Sequence, residues 1–104
     1  MTLLDELDIR HHFGGGVYAK ETAIPSGVQL TQHKHKFAHL SLLAVGTASI
    51  KVGDEPAWVI VGPTVVVMAA DVVHKIEAYT YCVWYCIHAT DETDPSKVDQ
   101  QLVV

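Results

Sequence analysis

Clustered positive charge is what this chain lacks most clearly. Seven Lys and Arg stand against twelve Asp and Glu, for a formal net charge of −5 with histidine neutral. Phosphate backbones are bound by many grouped cations, so nucleic acid is not an expected partner. Cysteine is scarce, at two residues. Cys82 and Cys86 stand four apart in a strand-like run, which separates them by about 13 Å at ~3.3 Å per residue, too far for a mutual disulfide. They read as reduced, buried small hydrophobes. Long apolar runs are also missing: the longest, around Ala57 to Ala70, is broken by Gly62-Pro63 and too β-branched for a membrane helix. The first eight residues carry acid where a secretory signal carries base, which leads to the expectation of a cytoplasmic protein. Gly14-Gly15-Gly16 lacks the Lys-Ser/Thr ending of a phosphate loop, and no glycine-flanked elbow activates Ser41.

What remains is apolar and β-prone. Hydrophobic residues make up 49% of 104 positions, many of them valine, enough for one domain spanning residues 1–104 with a continuous core. Residues 1–12 suit either a helical turn or an edge strand, and Gly14-Gly15-Gly16 reads as a flexible lead-in. Eight strands are then expected, at Val17–Ala23, Val28–Lys34, His39–Val45, Thr47–Val52, Ala57–Val61, Thr64–Ala69, Val72–Tyr79 and Tyr81–Ala89. Turn chemistry separates them. Ile24-Pro25-Ser26-Gly27 has Pro second and Gly fourth, Gly53-Asp54-Glu55-Pro56 is the clearest turn, and Asp71 tolerates left-handed angles. Asp94 and Pro95 can open a short C-terminal helix ending near Leu102. Many short strands with almost no helix imply an all-β barrel or double sheet.

Histidine is the unusual component, at seven residues. His33 and His35 share a face of an extended strand, and a turn at Lys36-Phe37 can bring His39 beside them on the next strand. His74 lies in a later strand. Imidazole nitrogen ligates Fe, Mn, Ni, Co, Cu and Zn, so a divalent transition metal inside a small barrel accounts for all four. Bland readings compete with this one. His39 could be a hydrogen-bonded core residue, and His11 and His12 fall in a polar segment that suits solvent. His88 shares a face with Cys82, Trp84 and Cys86, but these spread along roughly 20 Å of strand and cannot surround one ion, so they read as packing. Glu77 points away from His74.

These residues also carry a resemblance. Gly27-x5-His33-x-His35-x3-His39-x6-Gly46 resembles the first cupin motif, G-x5-H-x-H-x3-E-x6-G, with His39 in the place of Glu. The second motif, G-x5-P-x-G-x2-H-x3-N, is matched more loosely by Gly62, Ala69, Asp71, His74 and Ala78, with one extra residue in the first interval. The likeness covers about Val17 to Ala89. Gly16 to Glu21 and Trp84 to Asp94 are similar to short cupin-like proteins of phage and bacterial genomes, a group mostly without an assigned reaction. The resemblance implies a jelly-roll β-barrel with His33, His35, His39 and His74 as metal ligands.

Four neutral imidazoles would leave the ion its full +2 charge, where a Glu would cancel one unit. Such an ion favours an anion in its open positions. The expected function is therefore a metal-dependent enzyme acting on a small organic anion, with dioxygenase chemistry implied by four-histidine members of the family. A non-catalytic module, in which the metal stiffens the barrel or senses a ligand, is the alternative. Gln29, Thr31, Ser41, Leu43 and Ile76 are the expected pocket walls. Both faces of Tyr81–Ala89 are apolar and one small chain can cover only one, so a homodimer is expected.

Overall fold

The computed structural model describes residues 7–32, 34 and 36–97. Among the described residues nine strands form two antiparallel sheets. They are β1 (Asp8–Gly14), β2 (Val17–Ile24), β3 (Gln29–Gln32), β4 (His39–Val45), β5 (Thr47–Val52), β6 (Trp58–Val61), β7 (Thr64–Met68), β8 (His74–Ala78) and β9 (Cys82–Ala89). One sheet runs β1-β2-β9-β4-β7 and the other β3-β8-β5-β6. After β2 the chain crosses from one sheet to the other at every connection except the β5–β6 hairpin, so the expected all-β jelly-roll barrel is the fold observed.

The alternation of side chains explains the layering. In β8 His74, Ile76 and Ala78 are buried while Lys75 and Glu77 are exposed, as expected for a strand with one face on water. In β4 His39, Ser41 and Leu43 point inward. Ile24, Leu43, Ile50, Met68, Ile76 and Trp84 meet between the sheets as one core. Each such side chain contributes on the order of 2–4 kcal/mol, judged by the cost of truncating it.

Of the two readings of the N-terminal segment, the edge strand is the one found: β1 pairs with β2 from Asp8↔Ala23 to Gly14↔Val17. Its Asp8, Arg10, His11 and His12 suit an edge, where polar side chains discourage pairing with a second chain. Three sequence expectations need correction, the first being the loose lead-in, since Gly15 and Gly16 form the β1–β2 hairpin turn. The turn before β3 sits one residue later than expected. Val28 N–H donates to the Pro25 carbonyl at 3.2 Å, which makes Gly27, at φ +84°, the third residue of a type II-like turn. The strand after it is also offset. Gln29 and Thr31 are exposed, not pocket walls, because Val28 and Leu30 pack on the core and carry Gln32 inward with Leu30. In β9 the inward Cys82, Trp84, Cys86 and His88 are buried and the outward Val83, Tyr85 and Ile87 half-buried.

Asp71 takes φ +60°, as its turn requires. Asp94 caps the helical residues 95–97, with Ser96 N–H donating to its Oδ1 at 3.0 Å. The rest of the expected C-terminal helix lies outside the described residues. Cys82 and Cys86 are free and buried. No helix among the described residues is long and apolar enough to cross a membrane.

Candidate metal centre

Strand pairing gathers the inward polar side chains at one end of the barrel. On the five-stranded sheet, Ser41 on β4 lies opposite Cys86 on β9, and the next inward residues on these strands are His39 and His88. Their rings meet, with centroids 4.2 Å apart and planes inclined by 31°. Tyr18, opposite His88 on β2, continues the row at 6.3 Å. On the other sheet His74 lies opposite Gln32. The two sheets are joined at this level, because Gln32 Nε2 donates to Cys86 Sγ at 2.9 Å. Trp84 Nε1 and Ser41 Oγ also donate to that sulfur, at 3.3 and 3.8 Å.

Of the four expected ligands, His39 and His74 are buried on the facing sheets, at 6% and 1% exposure. His33 and His35 lie outside the described residues. Among the described residues no three His, Cys, Asp or Glu side chains stand close enough to hold an ion. Neither ring nitrogen of His74 has a hydrogen-bond partner among the described residues. Burial is the main cause that lowers its pKa below 6.5, and the approach of the Val72 backbone, outside hydrogen-bond geometry, acts the other way. The ring is therefore held neutral with a lone pair to donate, which is the form a metal binds. A buried imidazole without partners costs stability, and a metal ion is a group that would relieve that cost. Neutral imidazole is a donor that suits such an ion.

Two residues of this region escape sequence reasoning. The inward parity of His88 was legible, but its contact with His39 depends on the β4–β9 register. Gln32 was hidden by the misassigned parity of its strand. His11 and His12 are exposed, as expected, and both are engaged: His11 Nδ1 lies 2.7 Å from Tyr18 Oη, and His12 Nε2 lies 2.9 Å from Glu21 Oε1. The His12 contact is the leading cause of a lowered Glu21 pKa.

No family model and no curated protein matches the chain. Solved structures do. A cupin family protein with a double-stranded β-helix fold from Methanocaldococcus jannaschii superposes with a TM-score of 0.70 at 14% identity, over 89% of this chain and 85% of that one. A cupin superfamily protein from Desulfitobacterium hafniense gives 0.69 at 16% identity, over 88% and 84%. Ectoine synthase from P. lautus gives 0.72 at 15%, over 91% and 72%. At such identities the likeness is one of fold.

Proposed function

We propose that this cupin-type barrel holds one divalent transition metal, Fe, Mn, Ni, Co, Cu or Zn, on His33, His35, His39 and His74, and acts there on a small organic anion. The observation that carries the reading is His74, 1% exposed and without a hydrogen-bond partner for either nitrogen among the described residues. A buried polar ring left without a partner costs stability, and coordination to a metal ion supplies the compensating interaction. When bound, the metal supplies Lewis acidity and open positions for an anion, with dioxygen activation as the oxygenase form of that chemistry. The chain supplies the rest. Burial keeps His74 neutral, and Leu43, Met68, Ile76 and Trp84, all at 0% exposure, keep water from entering below the site. Ectoine synthase has the same fold, so the barrel is compatible with catalysis.

A second reading, a non-catalytic metal-stiffened module, draws support from the same filled core, which leaves little depth for a large substrate. The deciding experiment is elemental analysis of untagged protein purified without added metal, repeated on His39→Ala and His74→Ala. About one equivalent of metal in the parent and a loss in both variants is the expected result. Full occupancy in both variants would overturn the site. Retention of an anion such as acetate by the loaded protein then separates enzyme-like open coordination from a closed structural ion.

We also propose that the chain forms a homodimer. Val65 and Val67 on β7, 62% and 69% exposed, adjoin Leu40 on β4 at 47%, and β7 is a sheet edge without a charged residue. Such an edge is normally protected or paired.

A further inference from the structure

Besides the two ring nitrogens of His74, the interior contains a buried amide oxygen without a partner among the described residues, and it belongs to Gln32. Its amide nitrogen is fixed on Cys86 Sγ, a sulfur that also receives Trp84 Nε1 and Ser41 Oγ. Its amide oxygen is fully buried and meets no donor among the described residues. Gln32 and His74 are cross-strand partners on the inner face, so their β-carbons stand about 5 Å apart. Two neighbouring side chains thus turn unsatisfied lone pairs into the same interior. One is a nitrogen suited to a metal, and the other is an amide oxygen, which binds transition metals weakly and accepts hydrogen bonds well.

We propose that Gln32 is a ligand-binding residue, whose amide oxygen accepts a hydrogen bond from an O–H or N–H group of the anion held at the metal. The inference rests on the metal reading above and adds the substrate class: a small carboxylate with a hydroxyl or amino group near the carboxyl, in place of a plain carboxylate. Cys86 serves as the anchor that stops the amide from rotating. An acceptor held in place and already desolvated gains the whole value of the bond when the donor arrives, and it penalises an analogue that lacks the donor.

The test uses Zn(II)-loaded protein with two probes, glycolate and acetate, which differ by one hydroxyl. Titration calorimetry should give a glycolate preference in the parent that shrinks about tenfold in Gln32→Met, with acetate affinity and zinc content unchanged. Chelation of zinc by the glycolate hydroxyl alone would persist in the variant, so an undiminished preference overturns the proposal. So does a parent that binds both probes equally, or neither. A second measurement on the parent guards against a variant that does not fold: the Gln32 side-chain amide resonances should shift with glycolate and not with acetate, and equal responses would again overturn it. Failure to take up zinc at all would remove the metal reading itself, whereas zinc uptake without discrimination removes only the role of Gln32.

Discussion

His39 and His88 stand on paired strands with their ring centroids 4.2 Å apart, both nearly closed off from water. A ring packed this closely limits how its neighbour can turn, which gives His88 the part of an orienting support for a proposed ligand. Supports of this kind alter metal affinity by 10–100-fold when lost. His88→Ala should therefore weaken zinc binding at least tenfold in a competition assay with a chromogenic chelator, while His88→Phe, which keeps a flat ring there, should lose much less. Equal losses in the two would show that ring packing is not what matters.

Removing His74 should move stability and metal binding in opposite directions. Without metal, His74→Leu replaces a buried ring that has no partner among the described residues by an apolar side chain, which should stabilise the apoprotein by about 1–2 kcal/mol in urea denaturation. The same variant should take up no stoichiometric metal. A destabilised apoprotein would mean that the imidazole is already satisfied.

Acid should weaken the apoprotein through the same ring. The folded-state pKa of His74 lies below its ordinary value of 6.5, so the unfolded chain binds this proton more readily. Stability is then unaffected by this group above about pH 6.5 and falls as the pH drops from there through the folded pKa. Thermal melts of metal-free protein between pH 8 and 5 should show the decline, and His74→Leu should flatten it.

Gly46 should be intolerant of any side chain. Its φ is +102°, and an added Cβ would collide with the Tyr81 carbonyl oxygen and come within 2.7 Å of Cys82 Sγ. Strained backbone together with a backbone clash should cost Gly46→Ala about 3 kcal/mol or more, read as a large fall in Tm.

A charge on the exposed β7 edge should separate the proposed dimer. Val67→Lys changes a residue that is 69% exposed, so the monomer's stability should move by no more than about 0.5 kcal/mol. Light scattering should report a dimer for the parent and a monomer for the variant. A monomeric parent would end the homodimer proposal.

Most of the barrel was legible because turn chemistry and alternation are local. Gly46, Gly53 and Asp71 occur where the chain must reverse, and the polar-apolar rhythm of residues 74–78 fixes which face of β8 is wet. The turn at Gly27 shows how this reasoning fails. Moving the turn by a single residue leaves the composition of the strand unchanged but inverts its faces, and with them the assignment of Gln29, Thr31 and Gln32. Residues 8–14 were ambiguous because a charged strand is stable only when a partner is present to pair with it, here β2.

By itself, the sequence determined that this chain folds as a small all-β barrel and that histidines would be buried in it, because those outcomes follow from side-chain periodicity, glycine placement and motif spacing. Tertiary structure alone decided which residues from distant strands become neighbours. His39 meets His88 and Gln32 reaches Cys86 through the register of pairings between segments up to 54 positions apart. Register is a property of the assembled sheets, set by how the two inner faces fill the space between them, and no local stretch of chain contains it.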